Sequence, residues 1–172
     1  MYGISFTPLV IFTVSVAFFL LICRFLRYQY VFSLFGGIFF VLAPIYVRRS
    51  AFGWYDNDPY NILFPLLIIW LFFRALQANT NRRMLLHGLL CALAIAAYSL
   101  FWQGWMYVLC ILIAVLAISF IYTRFYLRRS RLSKTALFLL WEIIACSFIA
   151  ISLIAGIQGF FAIFKHGYEA LI

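Results

Sequence analysis

Two of the chain's four acidic residues, Asp56 and Asp58, stand one residue apart in the stretch RRSAFGWYDNDPYN, residues 48–61. In an extended backbone, side chains at i and i+2 project to the same side, so both carboxylates can direct oxygens at one divalent cation. Hard ions such as Mg2+ and Mn2+ favour such oxygen ligands. Two carboxylates do not complete an octahedral shell, so water, substrate or other segments must supply the remaining ligands. Arg49, on the N-terminal side of the pair, is a candidate to hold its geometry through charge-assisted hydrogen bonds. A simpler account stands beside this one. Asp58 precedes Pro59, and Asp at the N-cap with Pro at the first helical position is a helix-start signal, which leaves Asp56 as a solvated loop residue.

The elements that must position this stretch are apolar helices. The chain has 172 residues, 68% of them hydrophobic, 22% aromatic and 10% charged. No soluble domain of this length buries such a composition around one core. A helix needs ~20 mostly apolar residues to cross the hydrocarbon. Six stretches approach that length, at about 4–23, 30–47, 60–79, 84–101, 105–123 and 135–157. The expected fold is all-α: a polytopic transmembrane helix bundle of about six spans, forming a single transmembrane domain over residues 1–172. The first stretch lacks a basic n-region and a small-residue cleavage site, so it reads as a span and not as a signal peptide.

The net charge of +9 would suggest nucleic acid in a soluble protein; here its distribution reads as topology, with no nucleic-acid partner. With the N-terminus outside, the inner connections hold Arg24, Arg27, Arg74, Arg82, Arg83, Arg124, Arg128, Arg129, Arg131 and Lys134. Only Arg48, Arg49 and Lys165 fall outside. That is the asymmetry of the positive-inside rule. The basic run RFYLRRSRLSK is also suited to contact anionic membrane lipid. The same orientation puts residues 48–59 and the FWQGW turn at 101–105 on one outer side. Aromatic residues near span ends, among them Tyr28, Tyr30, Trp54, Tyr55, Trp102, Trp105, Tyr122 and Tyr126, are expected to form interfacial belts.

Other polar residues within the apolar stretches read as packing groups. Cys23, Cys91, Cys110 and Cys146 have neither C-x-x-C spacing nor a nearby His, which suggests neither a zinc site nor a disulfide framework. Glu142, inside the sixth stretch, is expected to face protein or a cavity and to serve as polar glue. His87, beside Arg83, is expected to adjust the inner end of the fourth helix. No internal repeat, low-complexity tract or linker interrupts the chain.

The run RSAFGWYDNDPYNILFPLLIIWLFFRA resembles the second acidic motif of the catalytic subunits of oligosaccharyltransferases. Arg49, Ser50, Gly53, Trp54, Tyr55, Asp56 and Asp58 follow that motif in order and spacing. YSLFWQGWMYVLCILI is similar to the family's short aromatic, glycine-containing turn between its fifth and sixth helices. The resemblance implies a membrane glycosyltransferase that moves an oligosaccharide from a polyprenyl diphosphate carrier to the asparagine of an N-x-S/T sequon in an acceptor polypeptide. It implies Asp56 as a ligand to Mg2+ or Mn2+, Asp58 as a second ligand or close neighbour, and Arg49 as the residue that orders them. It also implies that Trp102, Gln103 and Tyr107 lie near the lipid diphosphate of the lipid-linked oligosaccharide. The family's other acidic motif, its later glutamate-bearing loop and its W-W-D domain are not found in these residues. The chain is therefore expected to be a partial catalytic subunit, covering roughly the second to seventh of the family's spans, inactive alone and partnered by the remainder. Two other classes remain open: another polyprenyl-phosphate-dependent glycosyltransferase with a hydroxyl acceptor, and a non-enzymatic transporter or structural subunit.

Overall fold

The computed structural model describes residues 2–44, 59–102, 104–126 and 130–169. Among these residues the fold is all-helical, with six α-helices: α1 (Tyr2–Phe25), α2 (Tyr30–Leu42), α3 (Tyr60–Leu76), α4 (Asn81–Ser99), α5 (Trp105–Ile121) and α6 (Ser130–Glu169). Each of the six apolar stretches contains one of these helices; the second, expected at 30–47, is helical to Leu42, and residues 45–47 lie outside the described residues. Three are long and apolar enough to cross a membrane, through Thr7–Phe25, Trp105–Phe125 and Leu137–Ile154. α2 and α3 are apolar but shorter.

Several boundaries follow from local chemistry. α1 ends in a Schellman turn: the Tyr28 N–H donates to the Cys23 carbonyl at 3.1 Å, and the Arg27 N–H to the Arg24 carbonyl at 3.1 Å. The residue just past the cap is then left-handed, a place where glycine is usual. Here it is Arg27, with φ of 59°. α4 begins at Thr80, whose hydroxyl accepts from the Arg83 N–H at 3.4 Å, as an N-cap residue should. None of the six described helices carries an acidic residue in its first turn. Arg82 and Arg83 occupy the first turn of α4, the end where the helix dipole disfavours cations.

α5 passes into a π-helical turn, Tyr122–Tyr126. Inside it the Thr123 hydroxyl donates to the Ser119 carbonyl at 2.8 Å. α6 runs for 40 residues, beyond the sixth apolar stretch at both ends. At 1.5 Å per residue it is about 60 Å long, twice the thickness of the hydrocarbon.

The chain forms two compact units, Met1–Trp70 and Leu71–Ile172. In the first, α1 packs on α2. Phe19 and Phe40 stack with centroids 5.2 Å apart and planes 3° from parallel. A Cβ on Gly36 would come within 3.3 Å of the Phe19 ring, so the glycine permits the close approach. Buried Ser15 satisfies its hydroxyl within α1, donating to the Ile11 carbonyl at 2.8 Å. Phe18 meets Trp70 of α3 at 5.5 Å.

The second unit is built on α4. Its buried stripe is Gly88, Cys91, Ala92, Ile95 and Ser99, at helical spacing and mostly small, which lets neighbouring backbones approach closely. α6 faces inward with Leu139, Ile143, Ser147 and Ile151, and α5 with Trp105, Leu109, Leu112 and Leu116. Trp105 is only 1% exposed. It belongs to this core and not to the aromatic belt expected from its place at a span end. Tyr28, Tyr30, Trp102 and Tyr122 are exposed, in keeping with that expectation.

Candidate functional site

The acidic stretch leads directly into α3. Arg49, Asp56 and Asp58 lie outside the described residues. The helix that follows them is described, and it starts within one residue of the Asp58–Pro59 signal. The Pro59 carbonyl accepts from the Leu63 N–H at 3.2 Å, and Pro59 is buried. The Pro59 carbonyl thus accepts an α-helical bond in the first turn of the helix, while the cap expected at Asp58 lies outside the described residues. Tyr60 and Phe64 stack on the first turn, 6.3 Å apart. The N-terminus of α3 is the positive end of its helix dipole. Carboxylates placed just ahead of it are on the electrostatically favoured side.

The aromatic turn between α4 and α5 gathers residues singled out by the sequence. α4 closes with the Phe101 and Trp102 N–H groups both donating to the Tyr98 carbonyl, at 3.0 and 3.1 Å. Trp102 and Tyr107 lie 6.5 Å apart with rings 26° from parallel. Tyr98, which sequence reasoning did not single out, extends the row to 5.8 Å on the other side of Trp102. Gly104 makes this turn possible, because a Cβ there would fall within the Trp102 indole. Trp102 is 39% exposed and Tyr107 43%, so both rings are open to a ligand or to lipid. Each pairs an apolar ring with a polar tip, the combination suited to an interface with one wet side. Gln103 lies outside the described residues.

Glu142 is held where α6 crosses α4. A Cβ on Gly88 would meet its carboxylate at 2.6 to 2.9 Å, so the carboxylate rests on the glycine's backbone. Oε2 of Glu142, Nδ1 of His87 and Oγ of Ser147 are buried without a hydrogen-bond partner. Glu142 therefore faces the helix packing, as expected of an ionisable residue in an apolar helix. Gly88 is the partner that the sequence did not reveal, although its spacing from Cys91, Ala92 and Ile95 marks the face. All four cysteines are free thiols. Among the described residues no group of three or more His, Cys, Asp or Glu is placed to hold a metal.

Comparison with known proteins gives these features a setting. A family model described as oligosaccharyl transferase STT3, N-terminal, matches residues 5–172. A dolichyl-phosphooligosaccharide-protein glycotransferase of Methanococcus voltae is 34% identical over 83 residues. That match covers 47% of this chain and 9% of the relative, so the chain spans a small part of the relative's length. No solved structure matches. The chain is a membrane protein that belongs to the oligosaccharyl transferase STT3 family, within whose N-terminal region residues 5–172 fall.

Proposed function

We propose that this chain contributes part of the catalytic centre of an oligosaccharyltransferase, which transfers an oligosaccharide from a polyprenyl diphosphate carrier to asparagine in N-x-S/T sequons. The observation that carries this is the ordered run from Arg49 to Asp58 leading into the N-terminus of α3, in a chain whose family is oligosaccharyl transferase STT3. The donor set fits a hard divalent cation: two carboxylates at i and i+2, ahead of a helix whose N-terminus favours negative charge. Asp56 and Asp58 would hold Mg2+ or Mn2+, and Arg49 would order them. The ion, when bound, supplies positive charge to orient and activate the acceptor amide.

The chain's own residues have distinct tasks. The Trp102 and Tyr107 rings offer an exposed apolar platform for the carrier, with the indole and hydroxyl as donors; Gln103 adds an amide. The membrane arrangement is multi-pass with six spans, N-terminus outside, and the acidic stretch and aromatic turn on the exoplasmic face. The distribution of the basic residues supports this orientation. The other partners are the acceptor polypeptide, membrane lipid and the rest of the catalytic subunit.

The test is transfer from lipid-linked oligosaccharide to a sequon peptide, using the complete gene product that contains this chain. A peptide offering only hydroxyl acceptors serves as the comparison. Asparagine modification that disappears in Asp56→Ala, together with weakened Mn2+ binding measured by electron paramagnetic resonance, is the expected result. Full activity in Asp56→Ala and Asp58→Ala would refute the assignment, and modification of the hydroxyl peptide alone would reassign the enzyme to another class of glycosyltransferase.

A further inference from the structure

A groove runs along the α1–α2 hairpin. It consists of two hollows of about 610 and 400 Å3 that share Leu20 and Leu34. One end is polar, lined by Arg24, Tyr28 and Tyr30. The other is apolar and ends at Val41 and Leu42. From Tyr30 to Leu42 the helix rises about 18 Å, close to the depth of one leaflet, half of a hydrocarbon core ~30 Å thick. The apolar span in α1 ends at Phe25, so Arg24 stands at the hydrocarbon boundary.

We propose that this groove holds one anionic phospholipid, an acyl chain lying along Leu20 and Leu34 and the headgroup phosphate at Arg24. Charge complementarity selects this occupant. The described residues of the first unit, 2–44 and 59–70, contain no Asp or Glu, so no carboxylate among them can neutralise Arg24. Arg27 follows in a left-handed conformation that brings a second cation to the same turn, and Tyr28 and Tyr30 are 61% and 76% exposed beside it. A purely apolar partner, such as another membrane helix, would leave the arginine end unmatched. A phosphate on an acyl chain matches both ends.

The experiment is native mass spectrometry of the full chain in neutral detergent, titrated with dioleoyl phosphatidylglycerol, with dioleoyl phosphatidylcholine and with inorganic phosphate. Phosphatidylglycerol should be retained about fivefold or more over phosphatidylcholine, and inorganic phosphate should not compete. Arg24→Gln should lose about fivefold in affinity for phosphatidylglycerol, at ~1 kcal/mol per basic residue near an anionic surface, while Arg24→Lys keeps it. Ala17→Phe, which fills the groove, should weaken both lipids; Arg74→Gln, in the other unit, should change neither. Equal retention of the two lipids by the unaltered chain, no lipid retained, displacement by phosphate alone, or identical effects of Arg24→Gln and Arg74→Gln would each overturn the proposal.

Discussion

Replacing Gly88 with alanine sets two effects of similar size against each other, and the background decides the sign. Alanine in a helix interior is favoured over glycine by about 1 kcal/mol. At Gly88 the added methyl would sit 2.6 to 2.9 Å from the Glu142 carboxylate, well inside van der Waals contact. Overpacking of this kind costs about 1–3 kcal/mol. The clashing atoms end a flexible side chain, which places the cost toward the lower end of that range. Gly88→Ala should therefore be neutral to destabilising by about 1–2 kcal/mol. In Glu142→Ala the obstruction is gone and only the propensity remains, so the same change should stabilise by about 1 kcal/mol. The coupling between the two sites is then about 1–3 kcal/mol, readable as a difference of several degrees in Tm. A denaturant or thermal series on the four proteins in one detergent measures it. If Gly88→Ala has the same effect in both backgrounds, the carboxylate does not rest on Gly88 and the packing described here is wrong.

Three further outcomes follow from particular contacts. Gly104→Ala should expel Trp102 from its place and break its stacking with Tyr107, a loss of about 0.5–1.5 kcal/mol seen as a changed near-ultraviolet circular dichroism spectrum; an unchanged spectrum would contradict the turn geometry. Arg27→Gly should raise stability by up to about 1 kcal/mol, because glycine accepts the left-handed conformation without strain. A lower Tm for Arg27→Gly would oppose this account. Trp105→Ala should cost about 3–5 kcal/mol, whereas Trp102→Ala, at a half-open position, should cost far less; equal losses would return Trp105 to the interface.

The six helices were legible because each apolar stretch is long and interrupted by charged or turn-forming residues. Their ends were less so. The Asp58–Pro59 signal located the start of α3 to within one residue, since proline is favoured at the first helical position. The sixth stretch, by contrast, ends near residue 157 by hydropathy, while α6 continues to Glu169. A helix does not stop where apolarity stops if the flanks contain no proline and permit continued backbone bonding. Trp105 was misassigned because position at a span end was weighed above periodicity. Its spacing to Leu109, Leu112 and Leu116 marks a buried stripe. The seat of Glu142 on Gly88 joins residues 54 positions apart in the chain, and no local pattern carries such a contact. Tyr98 and Trp102, by contrast, stand four residues apart and are joined by a helical backbone bond, so their contact follows the local i, i+4 spacing.

The length of α6 makes it a lever. Its contact with Gly88 lies 12 residues from Ser130 and 27 from Glu169, arms of about 18 and 40 Å at 1.5 Å per residue. A tilt of 10° about that contact would displace the short arm's end by about 3 Å and the long arm's by about 7 Å in the opposite sense. A small adjustment at the basic end of the helix is thereby doubled at the other.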